Sequence, residues 1–204
     1  MKRIFVTGIG TDVGKTVVSA IITESLNADY WKPIQSGELD NSDTMKVKKL
    51  VSNSATVYHP ERFKLLQPLS PHAAARIDRV SIKLEDFTLP NTHNHLVIEG
   101  AGGLLVPLNS QFLIADLISN LGLSVVLVSR NYLGSINHTL LTINELCRRN
   151  IPILGIVFNG EATPQTENFI EKYSQIPVLF RVQMEKEINK QIILKYAESI
   201  KHIL

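Results

Sequence analysis

Lys15 and Thr16 follow Gly14 where an apolar run, Ile4-Phe5-Val6, gives way through a loop to a helical pattern. This grouping is suited to binding polyphosphate. Backbone N–H groups at a helix start cradle the oxygens, a lysine supplies charge, and a hydroxyl faces Mg²⁺. Asp12, Val13 and Val17 flank the group. Five residues separate Gly8 from Gly14, one more than the usual phosphate loop, so the strand before and the helix after carry the assignment. A chance Gly-Lys-Thr in a surface turn lacks that context.

Other candidates stand where apolar runs end. Lys32 precedes Pro33 and Gly37, which force a turn, so it emerges toward the phosphate loop. There it can neutralise a phosphoryl group or a substrate anion, or simply be a solvated strand-end lysine. Asp43 follows Ser42, a pair that fits a helix cap with an acid at the dipole's positive end. It fits a carboxylate facing Mg²⁺ equally well. Glu99 closes Leu96-Val97-Ile98 and opens Gly100-Ala101-Gly102-Gly103. Packing explains such a pattern poorly, whereas a second carboxylate beside a bound ligand explains it well. Gly134-Ser135-Ile136-Asn137 opens a helix whose free N–H groups can hold a carboxylate, with Ser135 as its expected cap. Asn159-Gly160 either reads a base edge or makes a turn. His93 and His95 have no third ligand near them and are not read as a zinc site.

The elements that must position these residues alternate. Strands are expected at Arg3–Thr7, Tyr30–Lys32, His95–Glu99, Ser124–Val128, Ile153–Phe158 and Val178–Phe180. Helices are expected at Lys15–Asn27, Ser42–Val51, Leu113–Asn120, Ser135–Arg149, Pro164–Tyr173 and Glu185–Ile203. Continuous apolar strands separated by helices predict an α/β fold, a mainly parallel sheet with helices on both faces, with ligands at the carboxyl ends of the strands. Residues Asn53–Asn94, with several prolines, read as loops and short helices.

The composition bounds the rest. Hydrophobic residues make up 44% of the 204 and charged residues 20%, as in ordinary globular proteins. A net charge of +2 without a long basic run gives no reason to expect a nucleic-acid partner. No apolar stretch reaches the roughly 18 residues of a membrane span, and Thr7-Gly8 interrupts the N-terminal apolar run too early for a signal peptide. The single cysteine, Cys147, excludes an intrachain disulfide and reads as helix core. A cytoplasmic protein is expected.

Together these residues resemble the dethiobiotin synthetase family. Phe-Val-Thr-Gly with Val-Gly-Lys-Thr, Lys-Pro-x-x-Ser-Gly from Lys32, Asn41-Ser42-Asp43, Ser70-Pro71-His72, Glu99-Gly-Ala-Gly-Gly and Leu133-Gly-x-Ile-Asn-His match in order and spacing. The five-residue spacing between Gly8 and Gly14 also belongs to that family. The family's Thr-Asp after the first glycine is Ile9-Gly10 here, and its Ile-Pro-Trp-Leu near the C-terminus is Val182-Gln183-Met184-Glu185.

The resemblance implies a P-loop NTPase-like single domain over residues 1–204. It implies ATP- and Mg²⁺-dependent closure of 7,8-diaminopelargonate and CO₂ to dethiobiotin, through a carbamate and a mixed carbamic–phosphoric anhydride. It implies that Lys15 and Lys32 are catalytic, and that Thr16, Asp43 and Glu99 hold the metal. Asp12–Val17, Gly100–Gly102, Asn159 and Gly160 would bind nucleotide. Thr11, Ser36 and Lys32 would contact the diamine or carbamate, and Asp12 its ammonium end. Gly134–Asn137 of a second copy would take the substrate carboxylate, making a homodimer.

Two other classes compete. Partitioning-type P-loop switches carry an extra lysine where this chain has Gly10, and some end in a membrane-binding helix. Ile188, Ile192, Tyr196, Ile200 and Ile203 do form an apolar stripe, which a terminal helix packed on the sheet explains as well. Cobyrinate-type amidotransferases need a glutaminase domain and a nucleophilic cysteine, for which this chain is too short.

Overall fold

A computed structural model describes residues 1–203. Its elements run β1 (Arg3–Gly8), α1 (Lys15–Leu26), β2 (Asp29–Trp31), β3 (Ile34–Ser36), α2 (Asp43–Leu50), β4 (Tyr58–His59), β5 (Phe63–Leu65) and α3 (Pro71–Asp78). They continue with β6 (Leu96–Glu99), α4 (Ile114–Asn120), β7 (Ser124–Arg130), α5 (Ser135–Arg148), β8 (Ile153–Asn159), α6 (Pro164–Ser174), β9 (Val178–Val182) and α7 (Lys190–Ser199). Seven strands form one sheet in the order β4-β2-β6-β1-β7-β8-β9, every pairing parallel. β3 and β5 pair separately, also in parallel.

Strand parity builds the layers, because successive side chains leave a strand on opposite faces. In β1, Ile4 and Val6 pack with Val18, Ile21 and Ile22 of α1 and Ile193 of α7. Phe5 points the other way, into a layer with Ile114 and Leu117 of α4. Further along that face, Leu127 and Phe158 meet Ile143 of α5 and Ile170 of α6. Each such side chain contributes roughly 1.5–3 kcal/mol when fully buried. A sheet covered on both sides explains why its strands read as unbroken apolar runs.

Three local readings change. The last helix starts at Lys190 rather than Glu185, because Asn189 caps it by accepting from the Ile192 N–H at 3.1 Å. Ser135 is not a cap. Gly134, at φ 102°, is the residue before the helix, and Ser135 turns inward to 1% exposure. A left-handed φ suits glycine, which lets the chain turn sharply into α5. Cys147 is exposed, on the edge of α5 away from the core residues Ile143 and Leu146.

Residues 53–94 contribute β4 at the sheet edge, β5 and α3. Buried Asp29 fastens this segment. It accepts from the Val57 N–H (3.1 Å), Thr92 Oγ1 (2.6 Å) and Asn94 Nδ2 (3.2 Å), and lies 3.2 Å from His59 Nε2. Among the described residues no helix is long and apolar enough to cross a membrane.

Candidate active site

β1 lies between β6 and β7, so the loop leaving it sits over the carboxyl edge of the sheet. That loop delivers Gly14 at φ 97° to the start of α1, where no side chain caps the first turn. The free amides there remain available to an anion. A Cβ on Gly14 would stand 2.2 Å from Asn159 Nδ2, which donates to the Val13 carbonyl at 2.8 Å. Asn159 therefore buttresses the loop from behind. Gly160 follows it, its N–H donating to the Val182 carbonyl at 2.9 Å.

Lys15 Nζ donates to the Gly10 carbonyl at 2.8 Å. Burial, then the nearby Lys32 charge, lower its pKa to about 8, although Glu99, Asp43 and Asp12 oppose the shift. Asp12 takes the left-handed conformation at φ 55° and its carbonyl accepts from Arg130 Nη1 at 3.3 Å. Val17, half-buried, packs against the core beneath α1.

The carboxylates lie beside this loop. Glu99, 1% exposed, ends β6 on the face that α1 covers. Its Oε1 accepts from Thr16 Oγ1 at 2.9 Å and from Lys32 Nζ at 3.1 Å. Its Oε2 accepts from Tyr30 Oη at 2.8 Å. Lys32 Nζ also reaches the Gly100 carbonyl at 3.0 Å and Asp43 Oδ2 at 2.7 Å. Burial alone would lower the Lys32 pKa, but the charges and hydrogen bonds of Glu99 and Asp43 raise it. Burial likewise opposes ionisation of Asp43, and Lys32 followed by Lys46 outweighs it and holds that carboxyl below its usual range. Ser42 does cap α2, accepting from the Met45 N–H at 3.3 Å. Asp43 thus begins the helix and also lines the cavity, a placement compatible with either reading.

These groups line a cavity of about 760 Å³ that also takes in Thr11, Asp12, Gly14, Ser36, Ala101 and Gly102. Among the described residues, Ser36 Oγ, buried there, has no hydrogen-bond partner. Thr16, Asp43 and Glu99 offer only oxygen donors, the set a hard divalent cation takes. Lys32, held between the two carboxylates, shows that they converge on one positive charge. The donor set fits Mg²⁺. Gly134, Ile136 and Asn137 lie elsewhere, lining a second cavity of about 760 Å³ with Tyr132 and Leu133, while Ser135 is buried at the helix start. One copy of the chain therefore keeps them apart from Lys32.

Two residues of the site have no sequence motif of their own. Tyr30 is detectable only through parity, since it shares a strand face with Lys32 and pairs with Val97, two residues before Glu99. Gln35 links the turn to α2: Nε2 donates to the Gly37 carbonyl at 3.0 Å and Oε1 accepts from the Asp43 N–H at 3.1 Å.

A family described as an AAA domain matches residues 2–191. The chain is 53% identical over 200 residues to the ATP-dependent dethiobiotin synthetase BioD of Christiangramia forsetii, covering 98% of this chain and 96% of that one. It is 50% identical over 198 residues to the protein of the same name from Cytophaga hutchinsonii, covering 97% and 96%. Among solved structures, the cell division ATPase MinD of Pyrococcus furiosus superposes with a TM-score of 0.61 at 13% identity over the whole of both chains. The septum site-determining protein MinD of Pyrococcus horikoshii, complexed with Mg-ADP, gives 0.62 at 12% identity, covering 98% and 96%. At that identity the likeness is one of fold.

Proposed function

We propose a division of labour for this site that starts from what the chain is: a member of the family of ATP-dependent dethiobiotin synthetases, ligases of biotin biosynthesis. The substrates are 7,8-diaminopelargonate, CO₂ and ATP, and the products are dethiobiotin, ADP and phosphate. The chain works as one domain over residues 1–204, in the cytoplasm. The observation that carries the reading is the Lys32 ammonium, fixed between Asp43 and Glu99 in the same cavity as Lys15 and Thr16.

Lys15 and the amides of residues 12–17 hold the phosphates. Thr16, Asp43 and Glu99 hold Mg²⁺, which when bound offsets the charge on the phosphate oxygens. One substrate amine adds CO₂ as a carbamate. Thr11 and Ser36 orient it, and the partnerless Ser36 hydroxyl supports that role. The carbamate oxygen attacks the γ-phosphorus, ADP leaves, and a mixed anhydride forms. The second amine then attacks the carbamoyl carbon, closing the ring and expelling phosphate. Lys32 stabilises the charge that builds on the carbamate and the transferring group, and is the catalytic residue with Lys15. Asp12 attracts the diamine's ammonium end. Gly100, Ala101, Gly102, Asn159 and Gly160 border the nucleotide.

The substrate carboxylate binds at Gly134–Asn137 of a second copy, so the working unit is a homodimer. Leu133, 103% exposed beside that helix start, supports this reading, as do exposed Tyr132 and Leu141. The partitioning switch gains nothing, because Gly10 stands where that class has its extra lysine.

The test mixes the protein with diaminopelargonate, bicarbonate, Mg²⁺ and ATP and measures dethiobiotin and phosphate. Equimolar diamine-dependent formation of both is expected. Phosphate release that ignores the diamine would overturn the reading.

A further inference from the structure

Tyr30 is fully buried, yet among the described residues its hydroxyl bonds to no backbone group; it donates to Glu99 Oε2. The two oxygens of Glu99 therefore have different company. Oε1 meets the groups of the cavity, Thr16 and Lys32, while Oε2 is tethered from the core. The tether is rigid. β2 lies between β4 and β6, with Tyr30 opposite Tyr58 on one side and Val97 on the other. Its ring belongs to the buried cluster that includes Val47, Val51 and Val97, and tilts against Tyr58 with centroids 6.3 Å apart. Few torsions remain free in a packed aromatic side chain, so the position of the hydroxyl is set by the core.

A phenol also differs from the lysine on the other oxygen. It is a neutral donor, so it orients the carboxylate and leaves its charge available. Hydrogen bonds from an outer partner orient a metal-binding group in this way, and losing one typically weakens metal binding 10- to 100-fold.

We propose that Tyr30 is a positioning residue that holds the Glu99 carboxylate in the orientation needed for Mg²⁺-supported nucleotide binding. The proposal rests on the reading of Glu99 as a metal-holding group. It assigns the buried phenol a role in binding and not only in packing.

Tyr30→Phe removes one oxygen and keeps the ring. Calorimetric titration with ADP, once in Mg²⁺ and once in EDTA, separates the possibilities. In EDTA the affinity should stay within about twofold of the parent. The affinity gained on adding Mg²⁺ should fall by about tenfold. Adding Tyr30→Phe to Glu99→Gln should cost nothing further, since both act through one carboxylate.

A residue that only stabilises the fold would weaken both titrations alike, and that result overturns the proposal. So does a Tyr30→Phe protein that keeps the parent's full gain from Mg²⁺. If the parent itself gains nothing from Mg²⁺, the metal role of Glu99 fails and this proposal with it, an outcome distinct from the other two. A second measurement needs no variant. In protein labelled with 3-fluorotyrosine, the ¹⁹F resonance of position 30 should move on adding Mg-ADP and not on adding ADP with EDTA. A resonance that ignores the metal overturns the proposal.

Discussion

Asp43 and Glu99 share one cation, with Lys32 Nζ 2.7 Å from Asp43 Oδ2 and 3.1 Å from Glu99 Oε1. They come from distant parts of the chain, one at the start of α2 and one at the end of β6. The ammonium ties the two carboxylates together, and in the proposed reaction it is also the charge offered to the transferring group.

Lys32→Ala removes both. Turnover is expected to fall by at least 10²–10³, because a preorganised cation at the developing charge is lost. ADP binding, assigned in the proposed function to Lys15 and the loop amides, should change by less than about threefold. Buried carboxylates without their cation should lower folding stability by about 3–5 kcal/mol. Steady-state assay, ADP titration and urea unfolding measure the three.

Gly14→Ala forces a Cβ to within 2.2 Å of the Asn159 amide at a φ of 97°. The loop must shift or strain, at a cost of about 1–3 kcal/mol. Nucleotide affinity should fall by more than tenfold while the circular dichroism spectrum is kept. Unchanged affinity would show that the loop tolerates displacement.

Asp29 gives a pH signature. Burial alone would raise its pKa, but hydrogen bonds from Thr92, the Val57 N–H, Asn94 and His59 hold it below the usual value. The folded state therefore binds this proton less readily than the unfolded chain. The stability it contributes is complete above the unfolded pKa of about 3.9 and is lost as pH falls through the lower folded value. Asp29→Asn should flatten that part of the stability curve below pH 4 and leave the remainder parallel. Urea unfolding across the acid range would show it.

Leu133→Glu places a charge on the fully exposed apolar side chain next to the α5 start. If two copies meet there, light scattering should show a shift from dimer to monomer. Turnover should fall at least tenfold and the KM for the diamine should rise, while ADP binding stays. A variant that remains dimeric and active would place the interface elsewhere.

The sequence makes the strand ends legible because parallel, doubly covered strands leave unmistakable apolar runs, and Glu99 interrupts one. Lys32 is legible for the same reason, flagged by the proline and glycine of its turn. Asp43 is ambiguous in one dimension, since a cap and a cation-facing carboxylate ask for the same residue type. Tyr30 is hidden. Parity places it on the face of Lys32, but nothing in its neighbours gives the strand register that aims its hydroxyl at Glu99. Cys147 is misread because its apolar neighbours on α5 include Leu141, which is itself 58% exposed. The short strands of residues 53–94 carry little periodic signal, and their place depends on a buried aspartate, Asp29, that lies outside the segment.

The central position of β1 has a consequence for how the molecule assembles. Its two neighbours in the sheet are β6 and β7, formed by Leu96–Glu99 and Ser124–Arg130, and Thr16 is 83 residues from the Glu99 oxygen it bonds to. During synthesis, the first strand and the phosphate loop have no neighbouring strand to join until nearly half of the chain has emerged. Such non-local pairing makes folding slow, and it leaves an apolar N-terminal strand exposed to other chains meanwhile. The segment that identifies the site most readily in the sequence is therefore made first but must wait for distant parts of the chain before it acquires its native surroundings.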